Sequence, residues 1–202
     1  MRRPRGSELR LRSPDPRRFD ARAAMPEGNP APRVYLVGEA PGRQEAEAGR
    51  PFVGPVGTGL RDMMREAGMN ESQIRLANAL PFRPIQRSPH RRLRNRKPTD
   101  KELRDYGPTV LAEIVSVRPK LIIALGKSAA SLFGASTTID RARKRMFCLE
   151  GVPVRITHHL ASCCASAEED LSFGEQQFVI YAPIGNNHIP HPRFREASRR
   201  WS

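Results

Sequence analysis

Cysteine is scarce in this chain of 202 residues. It has three, Cys148, Cys163 and Cys164, and no C-x-x-C pair. That spacing excludes a paired-thiolate zinc site and a disulfide framework. No apolar run reaches the length of a membrane span, and the arginine-rich start lacks the apolar segment of a secretory signal. Glu8, Asp15 and Asp20 interrupt that start, which argues against a transit peptide, so the expected location is the cytosol. Acidic residues are also in deficit: 21 Asp and Glu stand against 35 Lys and Arg, for a net charge of +14. Such a balance suits a nucleic-acid partner, although an arginine-favouring, GC-rich genome produces the same balance without one. The apolar fraction is only 38% and prolines number 19, so part of the chain is expected to stay outside the core.

What is present centres on residues 34–42 and their continuation to Gly54. The apolar run Val34-Tyr35-Leu36-Val37 ends abruptly in Gly38-Glu39-Ala40-Pro41-Gly42, and Gly49, Gly54 and Gly57 precede the next periodic segment. This pattern reads as a buried strand feeding a tight loop, sized for a phosphate or a base and holding one carboxylate. Leu60, Met63 and Met64 recur at helical spacing over 58–67, as core residues, and Gly68 ends that helix. A second strand over 74–80 ends near Asn78, followed by a proline-broken loop, Pro81-Phe82-Arg83-Pro84, and a dense basic loop over 87–97. Thr99, with Glu102 three residues on, predicts a capped helix through Val117. A third strand over 121–125, a turn at Gly126-Lys127-Ser128 into a short helix, and a hairpin around Glu150-Gly151 complete the pattern. Strand alternating with helix implies an α/β fold with a largely parallel sheet. Residues 1–30 are expected to form a disordered basic arm, 31–164 one domain, and 165–202 an atypical tail.

In open α/β sheets, ligands bind at the carboxyl ends of the strands. Three polar features fall there: Glu39, Asn78 and Thr157-His158-His159. Taken singly they read as a loop carboxylate, a turn former and a surface histidine. Their coincidence on one sheet edge is the stronger signal.

The glycine loop, its acidic spacer and Gly49-Arg50-Pro51-Phe52-Val53-Gly54-Pro55-Val56-Gly57 closely resemble motif A of the uracil-DNA glycosylase superfamily, in its family-4 branch. The resemblance runs on through Asn78 and the stretch from Pro98 to Gly134, covering about residues 33–160. It implies a three-layer α/β/α sandwich around a central, mostly parallel four-stranded sheet. It also implies a monofunctional DNA glycosylase that flips a uracil nucleotide out of DNA and cleaves its N-glycosidic bond, leaving an abasic site for downstream repair enzymes. By resemblance, Phe52 stacks on the base, Asn78 pairs with its edge, and the backbone of Gly38, Glu39 and Ala40 contacts it. His159 donates to the uracil carbonyl, and Glu39 positions the attacking water. Ala40 stands where other branches carry an aspartate base. Arg87, Arg91, Arg92, Arg94, Arg96 and Lys97 are expected on DNA phosphates. A monomer acting on DNA in a bacterial cytosol, without membrane contact, completes the expectation.

The chain departs from the family pattern in two places. Family 4 holds a four-cysteine iron–sulfur cluster, whereas Phe82 and Tyr106 occupy two of the ligand positions and no cysteine precedes Cys148. No cluster is therefore expected, and aromatic packing is expected to take its volume. Motif B begins with Thr157, His158 and His159, but Leu160-Ala161-Ser162-Cys163-Cys164 lacks the proline and the wedge leucine that follow in the family. That departure keeps open a paralogue that binds uracil-containing or abasic DNA without excision. A basic nucleic-acid binder with an inert scaffold is a third reading, and the glycine loop argues against it.

Overall fold

The computed structural model describes residues 11–90 and 92–159. Its strands are β1 (Phe19–Ala23), β2 (Glu27–Gly28), β3 (Val34–Gly38), β4 (Ile74–Asn78), β5 (Phe82–Arg87), β6 (Leu93–Asn95), β7 (Leu121–Leu125), β8 (Phe147–Leu149) and β9 (Val152–Thr157). The helices are α1 (Arg43–Ala48), α2 (Pro55–Glu66), α3 (Asp100–Val117), α4 (Lys127–Ser131) and α5 (Ile139–Arg143). Every residue of β3 and β7 is buried, as expected of strands covered on both faces in a parallel sheet.

The large sheet runs β2-β4-β3-β7-β9-β8. Its four inner strands are parallel, so the expected four-stranded sheet is present as the core of six. The two extra strands are short antiparallel edges of two and three residues: β8 is the first arm of the hairpin expected around Glu150-Gly151, and β2 is too short to leave a periodic signature. Register brings the carboxyl ends together: Gly38 pairs with Asn78, Val37 with Ala124, and Leu125 with Thr157.

Alternate residues of a strand face opposite ways, and the core divides accordingly. Leu36, Leu76 and Ile123 meet Leu60 and Met64 of α2 on one face. Tyr35, Val37, Ile122, Ala124 and Val154 meet Leu103, Tyr106, Val110 and Ile114 of α3, with Ala129 and Ala130 of α4, on the other. Three layers result. Helix α3 starts where the capping box predicts: Glu102 N–H donates to Thr99 Oγ1 at 3.3 Å, and Thr99 N–H donates back to Glu102 Oε2 at 2.9 Å.

Three expectations are corrected. Residues 11–30 are not a free arm, because β1 pairs with β5 and β2 with β4; buried Phe19 is the apolar anchor that draws this segment in. Residues 1–10 lie outside the described residues. The proline-broken stretch is strand β5, central in a second, antiparallel sheet of order β1-β5-β6. Pro84 lacks an N–H, and the β1–β5 register shifts beside it, between Phe19 and Ala23. The basic loop is partly strand β6, paired with β5 from Ile85–Asn95 to Arg87–Leu93. The expected tail, 165–202, lies outside the described residues.

Candidate active site

Gly38 closes β3 directly beside Asn78, the last residue of β4. A Cβ on Gly38 would lie 2.6 Å from Asn78 Oδ1 and 2.6 Å from Phe52 Cζ. Only hydrogen there lets an amide and an aromatic ring converge on the strand end. Asn78 is 5% exposed and Phe52 8%. Phe52 has φ +54°, a left-handed conformation that costs a bulky residue on the order of 1 kcal/mol or more. The conformation is enforced from behind, since a Cβ on Gly57 would come within 2.2 Å of the Phe52 carbonyl. Glu45 ties the loop together: its carboxylate accepts the Gly42 N–H at 3.1 Å and the Gly54 N–H at 2.7 Å. Glu45 is not among the residues expected in the site, although its place three residues after Gly42 is the signal of a helix-capping carboxylate.

The opposite wall rises from the end of β7. Gly126, at φ +87°, turns the chain into α4, and its N–H donates to the Thr157 carbonyl at 2.8 Å. A Cβ on Gly126 would lie 3.0 Å from His159 Cβ and 3.2 Å from His159 Cδ2, so the imidazole lies over this glycine. Two residues on, Ser128 Oγ donates to Glu39 Oε2 at 2.5 Å. One turn of chain therefore touches both Glu39 and His159. Ser128 was also missed; its signal is a hydroxyl just past the strand-ending glycine. The Gly38 and Glu39 carbonyls accept from Ala79 and Leu80 N–H at 2.8 and 3.1 Å, and Ala40 is half-buried beside them.

His158 Nε2 sits 2.6 Å from an Arg143 guanidinium nitrogen and 3.3 Å from Asp140 Oδ1. Burial and the Arg143 charge push its pKa down, against the pull of Asp140. A neutral ring accepting from Arg143 pins the strand end that carries His159.

Arg87, Arg92, Arg94 and Lys97 are exposed along the β5–β6 hairpin, and Arg91 lies outside the described residues. Arg96 departs from the expected phosphate role. Its guanidinium donates to both carboxylate oxygens of Glu102 at 2.7 and 2.6 Å and to the carbonyls of Ile85 and Arg18 at 3.1 and 3.2 Å, and it lies 5.6 Å from the Phe19 ring centre. A buried carboxylate needs a buried cation, and Arg96 meets that need for Glu102. Burial alone would raise the Glu102 pKa, but bonds from Arg96 and the Thr99 N–H, with the nearby Arg18 charge, hold it below the usual carboxylate range.

At the two positions where the resemblance places cluster ligands, Phe82 and Tyr106 pack edge-to-face at 5.4 Å between ring centres, and Phe19 joins them at 6.3 and 5.8 Å. Packed apolar rings do not fit thiolate ligation, and three cysteines are fewer than a four-thiolate cluster requires. Among the described residues no group of three or more His, Cys, Asp or Glu side chains could hold a metal ion, and no helix is long and apolar enough to cross a membrane.

The sequence profile of the uracil DNA glycosylase superfamily matches residues 25–200. The chain is 38% identical over 119 residues to the type-4 uracil-DNA glycosylase of Thermotoga maritima, covering 58% of each. It is 34% identical over 128 residues to that of Archaeoglobus fulgidus, covering 61% of this chain and 60% of the relative. It thus spans about three-fifths of the length of these curated relatives. The crystal structure of SMUG2 from Pedobacter heparinus superposes with a TM-score of 0.55 at 13% identity, covering 74% of each chain, a likeness of fold.

Proposed function

The chain belongs to the uracil DNA glycosylase superfamily, and we propose that it hydrolyses the N-glycosidic bond of a uracil nucleotide flipped out of DNA, the first step of base excision repair. The observation that carries this reading is the convergence of Asn78 and Phe52 on Gly38, with Glu39 and His159 held by one turn across the strand ends. An extruded base enters between these walls. The Phe52 ring offers a stacking face, and the Asn78 amide offers a donor and an acceptor to the polar edge of uracil. Water adds to the sugar C1′ as the bond to the base nitrogen breaks, the electron pair leaves with uracil, and the proton that the water gives up ends on the departing base. Negative charge gathers on the uracil carbonyl, where an N–H from His159 stabilises it most in a site closed to water. The Glu39 carboxylate, fixed by Ser128, orients the attacking water. Exposed Arg87, Arg92, Arg94 and Lys97 hold the flanking phosphates, giving affinity without sequence preference. The products are free uracil and an abasic site, which a downstream abasic-site repair enzyme consumes.

Residues Leu160 to Cys164, which depart from motif B, favour a second reading: a paralogue that binds uracil-containing or abasic DNA without excision. One assay separates the two. Uracil-containing single- and double-stranded oligonucleotides are incubated with the protein, and abasic sites are then cleaved with alkali. Strand breaks that disappear in His159→Ala and Asn78→Asp support excision. Tight binding without breaks supports the paralogue instead.

A further inference from the structure

Leu93 opens β6 with 46% of its surface in solvent. A single exposed leucine is ordinary, but three features of this one are not. First, it is ringed by positive charge. Exposed Arg87 is its direct cross-strand partner, and exposed Arg92 and Arg94 are its chain neighbours. No ion pair among the described residues holds any of these three guanidiniums.

Second, Leu93 shares a strand face with Asn95, two residues on. Asn95 Nδ2 lies 3.7 Å from where a Cβ on Gly42 would stand, and its Oδ1 accepts from buried Arg83 at 2.7 Å. The face bearing Leu93 therefore abuts the glycine loop of the candidate site, with Leu93 about 7 Å farther along the strand.

Third, the hairpin is braced. Ser88 N–H donates to the Arg92 carbonyl at 2.9 Å and Arg92 N–H to Ser88 Oγ at 3.2 Å, while Arg96 and Glu102 lock its base to α3.

The geometry points to Leu93 as an apolar wedge that enters duplex DNA beside the pocket and fills the stack a flipped nucleotide has vacated. This rests on the glycosylase reading above. Duplex DNA is the occupant that matches the whole surface. Its phosphates pair with the surrounding arginines, and its base faces accept an inserted leucine, one of the side chains able to part a base step. An acidic protein partner would engage the arginines but leaves an isolated leucine unexplained.

A single strand has no duplex stack to hold open, so the test compares substrates. Excision by Leu93→Ala and Leu93→Phe is measured on duplex and single-stranded DNA of one sequence. The duplex-to-single-strand ratio of kcat/KM is expected to fall about ten-fold in Leu93→Ala, because unstacking is the step the wedge assists, and to recover in Leu93→Phe. An unchanged ratio, or an equal loss on both substrates, overturns the assignment. In parallel, duplex carrying 2-aminopurine beside the uracil is titrated with each protein. If the wild type excises from neither substrate, the glycosylase reading fails, yet this titration still decides the wedge. Fluorescence that rises with the wild type and much less with Leu93→Ala supports it. A rise that is absent or independent of Leu93 overturns it.

Discussion

Gly38 acts through the side chain it lacks. Any Cβ there would collide with both the Asn78 amide and the Phe52 ring, the two groups proposed to hold the base. Gly38→Ala is therefore expected to lower uracil excision about 100-fold, the scale of an ångström-sized misplacement. Its thermal stability should fall by only about 1–3 kcal/mol, as for a small overpacking change. Excision assays paired with melting curves check this; full activity would remove Asn78 and Phe52 from the site. A different residue-scale device lies beneath the sheet. The Tyr35 hydroxyl and Arg75 Nε both donate to the buried Glu113 carboxylate. Burial and the Glu113 charge push the Tyr35 pKa far up, so the phenol stays protonated and keeps donating. Glu113→Ala leaves the buried Tyr35 hydroxyl without its acceptor and the half-buried Arg75 guanidinium without its carboxylate, and chemical denaturation is expected to register a loss of roughly 3 kcal/mol.

At the scale of elements, the small sheet β1-β5-β6 is fastened to α3 by an apolar cluster and by ion pairs to Glu102. The apolar contact is the Phe19–Phe82–Tyr106 cluster. Phe82→Ala and Tyr106→Ala should each cost about 3 kcal/mol, and a double-mutant cycle should show coupling of about 1 kcal/mol between the rings. Strict additivity with small single effects would deny them a shared packing role. The ion pairs are those of Arg96 and Arg18 with Glu102. The Glu102 pKa is lowered on folding from its ordinary 4.5, so the folded state favours its charged form. Its contribution is complete above that ordinary value and is lost as pH falls through the lower folded-state value. Melting curves of the wild type should therefore decline as pH drops below about 4.5, and Glu102→Gln should flatten that decline while lowering stability near neutrality. A parallel decline in both proteins would assign the acid sensitivity elsewhere.

For the whole molecule, a net charge of +14 acts through the arginines left unpaired. With Arg96 committed to Glu102, the phosphate contacts proposed above are left to Arg87, Arg92, Arg94 and Lys97. Removing one of the three exposed arginines is expected to weaken binding alike on all sequences and to reduce the slope of log K against log salt by about 0.9. Arg96→Ala should instead lower the melting temperature. Binding isotherms at several salt concentrations, set beside melts, separate the two classes. The superfamily profile also extends to residue 200, past the domain boundary expected at residue 164.

The sequence by itself determined the parallel core and most of the residues of the proposed site. Buried strands such as 34–38 and 121–125 declare themselves by continuous apolar runs, and register then aligns the chemistry at their ends. Glu39, Asn78 and His159 were legible as neighbours because ligands gather at strand ends in an open sheet, whereas Phe52 joined them only through the resemblance to motif A. The tertiary structure alone decided what depended on distant partners. Whether an arginine meets solvent or a buried carboxylate is set by what folds against it, so Arg96 and Arg94 read alike in the chain and part ways in space. Residues 11–30 read as polar and proline-rich, yet one buried phenylalanine and an unpaired strand edge suffice to order β1. Ser128 and Glu45 hold the site from outside the motif's reacting residues, through bonds that span 89 and 9 positions. A hydrogen bond leaves no periodicity in the chain; it exists only once folding has brought donor and acceptor together.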